Sequence, residues 1–159
     1  MEAPVIAVIG PGAPDDGAAV AASEACGRLL AEAGATVVTG GLGGVMAAAS
    51  RGARGGGGTV AAILPGTDPG QAVGPADLVV ATGAGEARDL AVVASAQAVI
   101  AVGGGWGTLA EIGLARKLGR PVVRLRSWRI APPEGDGAEV GPVAESPEEA
   151  ARLALEAAS

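Results

Sequence analysis

Short, nearly continuous apolar runs alternate along the chain with longer stretches in which apolar residues recur at helical spacing. A strand inside a parallel sheet is buried on both faces, so it reads as a continuous apolar run and not as an alternating one. The runs that fit this description lie at residues 5–9, 36–39, 59–64, 78–81, 98–102 and 121–125. The pattern therefore predicts a sheet whose strands are mainly parallel.

The stretches between these runs carry the start and stop signals of α-helices. Helices are predicted at residues 15–33, 45–54, 86–96 and 108–118. Asp15 and Asp16 are placed to cap the first helix, and Gly34 and Gly119 are placed to end the first and fourth helices. Repeated alternation of strand, turn and helix predicts an α/β fold. We expect a single Rossmann-like domain over residues 1–159, with a doubly wound sheet between two layers of helices.

The last part of the chain predicts a loop followed by a closing helix. Residues 131–142 are rich in proline, glycine and acidic side chains, which is typical of a loop or a short hairpin. Ser146, Pro147 and Glu149 then supply an N-cap, a proline at the first helical position and an acid three residues after the cap. The apolar face of this helix is suited to packing on the sheet or on a second subunit.

Composition excludes several kinds of functional site. The chain has no histidine and a single cysteine, Cys26, so a zinc site, a histidine-dependent triad and a disulfide framework are excluded. We therefore predict no metal and no resident cofactor, and Cys26 is interpreted as a core residue. The net charge of −6 opposes the phosphate contacts that nucleic-acid binding requires. There is no signal-like N-terminus and no run long enough to span a membrane, which predicts a cytoplasmic protein without a membrane partner.

Three glycine-rich segments follow predicted strands, where open α/β sheets bind their ligands. The first contains Gly10 and Gly12, which would let the backbone approach an anion at a helix N-terminus. The same segment also fits a plain strand-to-helix turn, because the two acids that follow would repel a phosphate. The other two segments have the strand-turn-helix context of a phosphate cradle. Their candidate ligand-binding residues are Gly40, Gly41, Gly43, Gly44, Gly103, Gly104, Gly105, Trp106, Gly107 and Thr108.

The third segment, GGGWGTLAE, resembles the PGGxGTxxE signature of the Lonely Guy (LOG) family, which was once described as lysine decarboxylase-like. This family lies within a wider superfamily of Rossmann-like nucleotide-binding proteins. The resemblance extends over most of the chain. TGGLGGVMAAASRGA, TVAAILPG and GEARDLAVVASAQAVIAVGGG are similar, in the same order and spacing, to the family's glycine segment, its next strand and its catalytic helix.

The resemblance implies a doubly wound homodimer that recognises a nucleoside 5′-monophosphate and cleaves its N-glycosidic bond. It assigns the catalytic arginine to Arg88 and the catalytic glutamate to Glu111. Breaking this bond builds positive charge on the ribose, which a carboxylate stabilises, so the chemistry suits Glu111. The spacing of Thr108 and Glu111 also fits a capping box, in which the glutamate merely accepts a hydrogen bond from the cap residue's N–H.

The segment departs from the family's pattern in ways that favour a different ligand. Gly103 replaces a proline, Asp89 replaces the lysine that commonly follows the arginine, and Glu86 and Ala87 replace His-Glu. The chain is more similar to a short branch of the superfamily that includes molybdenum cofactor carrier proteins. That similarity implies a carrier of a phosphorylated pterin that performs no turnover, in which Glu111 is only a cap.

Three further residues are open to two interpretations. Under the carrier hypothesis Arg124 or Arg126 would contact an anion, although both would otherwise be ordinary surface charges. Trp106 would stack on a ligand ring or pack at a dimer interface. The superfamily also contains DNA-processing proteins that bind single strands, but the sequence lacks the basic groove and stacking aromatic residues that this function needs.

Overall fold

A computed structural model describes residues 2–14, 17–135 and 137–159 of the chain. The strands are β1 Val5–Ile9, β2 Thr36–Thr39, β3 Val60–Leu64, β4 Leu78–Ala81, β5 Ala98–Val102, β6 Val122–Leu125 and β7 Val143–Ala144. The α-helices are α1 Gly17–Glu32, α2 Val45–Gly55, α3 Arg88–Ala94, α4 Trp106–Lys117 and α5 Pro147–Ala157. Short 3-10 turns occupy Pro69–Gln71, Gly85–Ala87 and Ala138–Val140.

The strands form one seven-stranded sheet in the order β4-β3-β2-β1-β5-β6-β7, and every pairing is parallel. The direction of winding reverses between β1 and β5. In such sheets the loops that leave the two central strands diverge and open a crevice at the carboxyl ends. The topology therefore places the turns after β1 and β5 side by side.

Helices cover both faces of the sheet. On one face α1, α2 and α5 pack on Ile6, Val8, Val37 and neighbouring residues, and on the other α3 and α4 pack on Ala7 and Ile9. Alternate residues of β1 thus point into two separate cores, because successive side chains of a strand point to opposite faces. The predicted fold class, a three-layer doubly wound α/β sheet, is confirmed.

Most element boundaries agree with the sequence prediction, and the differences concern the third helix, β7 and the start of α4. The third helix begins at Arg88, after a 3-10 turn, instead of at residue 86. β7 was missed, because two residues are too few to show a pattern. Gly34 ends the first helix in a left-handed conformation (φ 86°) as predicted, whereas the capping role of Asp15 and Asp16 lies outside the described residues.

No helix in the part of the chain that the structure describes is long and apolar enough to cross a membrane.

Cys26 is completely buried in the core between α1 and the sheet. Burial, with a smaller contribution from the negative charge of Glu148, raises the pKa of its thiol to about 12. Its interpretation as a core residue is therefore confirmed. A buried thiol that stays protonated is a poor nucleophile.

We expect the native protein to resist alkylation by iodoacetamide at pH 8. In urea above the unfolding midpoint one thiol per chain should react, because unfolding exposes Cys26. Mass spectrometry of the labelled chain measures both states, and the labelled fraction should follow the unfolding curve. Rapid and complete labelling in native buffer would contradict the burial of this side chain.

A cleft at the carboxyl ends of the central strands

The turns after β1 and β5 and the start of α3 enclose a cleft of about 510 Å³. The sequence-predicted residues that line it are Gly10, Gly12, Arg88, Gly105, Gly107, Thr108 and Glu111. The structure therefore brings together the two candidate catalytic residues and half of the candidate ligand-binding residues of the third glycine segment. It adds lining residues that the sequence analysis did not select: Pro11, Leu42, Met46, Pro65, Gly85, Glu86 and Asp89.

A smaller cleft of about 340 Å³ lies beside the first and is lined by Gly103, Gly104 and Arg126 among others. Both clefts share Pro11 and Gly105. A Cβ built on Gly105 would lie 3.1 Å from the Pro11 Cβ, so the two turns touch there. This contact forms a ridge that divides the crevice into two parts.

The glycines of the second segment line neither cleft. Gly44 has a left-handed backbone (φ 58°), and a Cβ on it would lie 2.5 Å from the Pro11 carbonyl oxygen. Gly41 and Gly43 likewise lie close to Leu64 and to Gly12, respectively. These glycines let the turn after β2 pack against the turn after β1 and against β3.

Gly40 has a different role, because it leaves room for the Arg88 side chain. A Cβ built there would overlap the Nη1 atom of Arg88 and lie 2.9 Å from the Met46 Sδ. The guanidinium therefore occupies the space that any larger residue at position 40 would fill. The sequence motif marked Gly40 as a candidate, but no local pattern links it to Arg88, which lies on α3.

The N-terminus of α4 opens into the larger cleft. The helix begins at Trp106, and Gly105 is its N-cap in an extended conformation with no side-chain cap. The first helical hydrogen bond runs from the Leu109 N–H to the Gly105 carbonyl. The N–H groups of Trp106, Gly107 and Thr108 therefore have no partner within the helix, as is general for a first turn. Such groups, together with the helix dipole, attract anions.

The capping-box interpretation of Glu111 is wrong, because Thr108 lies inside the first turn of α4 and is not its N-cap. The helix starts two residues earlier than the sequence suggested, since Gly105 takes the extended cap conformation. Thr108 is 2% exposed, and its Oγ1 has no hydrogen-bond partner within the described residues. Both side chains are therefore available to a ligand in the cleft.

Arg88 lies at the start of α3 and pairs with the residue that follows it. Its Nη1 is 2.7 Å from the Asp89 Oδ1, and the two side chains are only 10% and 16% exposed. The Arg88 Nε is buried without a hydrogen-bond partner in the described chain. Burial raises the pKa of Asp89; the charge of Arg88 opposes this rise and that of Glu86 adds to it.

Glu111 carries the largest electrostatic perturbation in the cleft. Burial raises its pKa from 4.5 to about 8; the negative charge of Asp89 adds to the rise and that of Arg88 opposes it. A carboxyl group with this pKa is mostly protonated at pH 7 and donates a hydrogen bond. The wall of the cleft thus offers a neutral acid, a paired cation and a buried hydroxyl.

Arg124, Trp106 and Trp128 do not belong to the lining of either cleft. The Arg124 guanidinium donates to the carbonyls of Trp128 and Gly141, at 3.1 and 2.7 Å, so its role is structural and it lines neither cleft. The Trp128 Nε1 donates to the Gly105 carbonyl at 2.9 Å. Trp106 lines neither cleft, is 78% exposed and packs against Trp128 in a tilted arrangement, with ring centroids 5.0 Å apart.

A sequence model of the SLOG cluster4 family matches residues 3–151. An uncharacterised protein of Archaeoglobus fulgidus is 46% identical over 100 residues, which cover 63% of this chain and 66% of that protein. The match thus spans slightly less than two thirds of that relative.

Solved structures with the same architecture cover nearly the whole chain. The molybdenum cofactor binding protein of Rippkaea orientalis is 32% identical with a TM-score of 0.88, and covers 100% of this chain and 99% of its own. The Moco carrier protein of Chlamydomonas reinhardtii is 33% identical with a TM-score of 0.86 and covers 98% of both chains. The proteins that this chain resembles in full therefore include carriers of molybdenum cofactor.

Proposed function

Because the chain belongs to the SLOG cluster4 family, and because its cleft pairs free helix N–H groups with a neutral acid, we propose that it is a carrier. Its cargo would be a phosphorylated pterin of the molybdenum cofactor type, held without chemical change. The observation that carries this proposal is the first turn of α4, where Gly107 and Thr108 line the cleft and their N–H groups have no partner within the helix. The full-length similarity to a molybdenum cofactor binding protein and to a Moco carrier protein supports it.

The phosphate end of the cargo would lie at the N-terminus of α4. The N–H groups of Gly107 and Thr108 would supply hydrogen bonds there, and the helix dipole favours the negative charge. Thr108 adds a hydroxyl that has no partner among the described residues. No arginine or lysine is needed for this contact, which fits a chain whose net charge is −6.

The ring end would lie against Arg88, Asp89 and Glu111. A pterin ring carries both hydrogen-bond donors and acceptors, which a protonated carboxyl group and a charged pair can satisfy. Leu42 and Met46 supply apolar wall beside these polar groups. A volume of about 510 Å³ is within the range of small-molecule sites.

The phosphoribohydrolase is the second candidate, since Arg88 and Glu111 line the same cleft as the LOG resemblance requires. Two features favour the carrier over it. Stabilising an oxocarbenium-like charge needs a carboxylate, whereas the pKa of Glu111, raised to about 8, leaves the group mostly neutral at pH 7. The Arg88 guanidinium is also already paired with Asp89. The homodimer and the cytoplasmic location stay predictions from the sequence.

Gly107→Pro tests the anion site, because proline removes one N–H from the first turn, where its ring is tolerated. A Cβ at this position meets no atom within 4 Å. The loss of one charge-assisted hydrogen bond should lower the affinity for a pterin monophosphate and for adenosine 5′-monophosphate by a factor of about ten or more. Isothermal titration calorimetry gives the Kd values. Gly107→Ala, which keeps the N–H, is the matched control and should bind like the wild type.

Chromatography after a long incubation distinguishes the two candidate functions. A carrier returns the bound ligand intact, and we expect no released base from the monophosphate and no new pterin species. Steady release of base that stops in Glu111→Gln would establish the hydrolase instead. Equal affinity in Gly107→Pro and Gly107→Ala would contradict the location of the phosphate at α4.

A further inference from the structure

The charges that line the larger cleft are unusual for a site that binds a phosphorylated ligand. Arg88 is the only arginine or lysine among the described residues that line it, whereas Glu86, Asp89 and Glu111 are all acids. The one cation is engaged by one of those acids at 2.7 Å. The cleft therefore has no positive side chain without a counter-charge among these residues, and its attraction for anions comes from the backbone of α4.

The Arg88 guanidinium lies between the Asp89 carboxylate and the backbone of Gly40. Asp89 holds its Nη1, and the missing side chain of Gly40 leaves the space in which the same atom lies. Both members of the ion pair are largely buried, at 10% and 16% exposure. Breaking such a pair leaves an uncompensated charge in a poorly solvated place, so the guanidinium is not readily released to a ligand.

We propose that Asp89 determines which ligands the cleft accepts, because it occupies the Arg88 cation and so prevents a second anionic group from binding there. The inference concerns the same cleft as the proposed function and rests on it. It assigns the phosphate of a ligand to the N-terminus of α4 and an uncharged, hydrogen-bonding ring to Arg88 and Glu111. Ligands with a second phosphate near the ring are rejected.

Asp89→Asn tests the proposal, since asparagine keeps the shape and an acceptor oxygen but removes the charge. Inorganic phosphate and pyrophosphate are the probes, and calorimetry at pH 7 gives their Kd values. The wild type should bind pyrophosphate no more tightly than phosphate. The variant should bind pyrophosphate about tenfold more tightly than the wild type does, because it gains one strong charge-assisted contact. Its gain in affinity for phosphate should be clearly smaller.

Glu32→Gln is the matched control. Glu32 also pairs with an arginine, Arg28 at 3.1 Å, but the pair is exposed and lines neither cleft. This variant loses the same charge from the protein, so it reports any general electrostatic effect. Its affinities for both probes should change less than twofold, the range of a weak exposed pair.

A second measurement separates the electrostatic role of Asp89 from a merely structural one. Carbon-13 NMR of the Glu111 carboxyl group should show a lower pKa in Asp89→Asn, because the variant removes a nearby negative charge and frees Arg88. Glu32→Gln should leave that pKa unchanged. If asparagine at position 89 prevents folding, Asp89→Ser removes the same charge and carries the same expectations.

Unchanged affinity for pyrophosphate in a folded Asp89 variant would overturn the proposal, as would an equal gain in Glu32→Gln. The carrier function fails separately, if the wild type binds neither a pterin monophosphate nor adenosine 5′-monophosphate. A gain of pyrophosphate affinity on removal of Asp89 would still support the inference in that case. If both monophosphates bind and pyrophosphate shows no gain, only the inference fails.

Discussion

Replacing Glu111 with glutamine should raise the free energy of unfolding by about 3 kcal/mol at pH 7. The pKa of this carboxyl group is about 8 in the folded protein and 4.5 ordinarily. Between these two pH values the folded protein binds more protons at Glu111 than the unfolded chain does, so rising pH destabilises the fold. Glutamine has nearly the same shape and cannot ionise, so it avoids this cost.

The difference between variant and wild type should follow the same pH window. It should be small below about pH 4.5, grow up to about pH 8 and then stay level. Urea unfolding at pH 4.5, 7 and 9 measures it. Glu156→Gln is the control, because Glu156 is an exposed residue paired with Arg152 at 3.0 Å and should show no comparable trend. Parallel pH profiles for wild type and Glu111→Gln would contradict the raised pKa.

The free-energy cost of burying the Glu111 carboxyl group also bears on function. Active and binding sites commonly trade stability for function, and strongly perturbed pKa values are concentrated at such sites. The raised pKa of Glu111 therefore supports the proposed contact between this side chain and a ligand in the cleft.

Gly52→Ala should lower the free energy of unfolding by about 3 kcal/mol, because it forces α1 and α2 apart. A Cβ at Gly52 would overlap the carbonyl oxygen of Glu24 and lie 2.8 Å from its carbonyl carbon and 3.0 Å from the Arg28 N. These are backbone atoms of α1, which cannot move aside as a flexible side chain would. The close contact of the two helices therefore depends on this glycine.

Gly113→Ala is the matched control, since Gly113 lies in the middle of α4 and a Cβ there meets no atom within 4 Å. Alanine at an open helical position should stabilise the protein by about 0.5–1 kcal/mol, because it reduces the freedom of the unfolded chain. Urea denaturation compares the two variants with the wild type. A Gly52 variant as stable as the wild type would contradict the close packing of α1 on α2.

The sequence alone determined the fold class and most of the elements. Apolar runs that become strands, Ser146 as the cap of α5 and Gly34 as the end of α1 are local signals, and each depends on a few neighbouring residues. The glycine segment after β5 marked the correct edge of the sheet for the same reason. Parallel strands bring their carboxyl ends together, so the motif and the topology agree on where the cleft lies.

Only the tertiary structure decided which contacts the individual residues of the cleft make and how Glu111 is protonated. Gly40 makes room for Arg88, which lies on a different helix, and neighbours in sequence such as Arg88 and Asp89 do not usually face each other on a helix. The protonation of Glu111 depends on burial and on charges from another element, and the start of α4 depends on the conformation of Gly105. Local pattern is set by the chain's own periodicity, whereas contacts and desolvation are set by which segments the fold brings together.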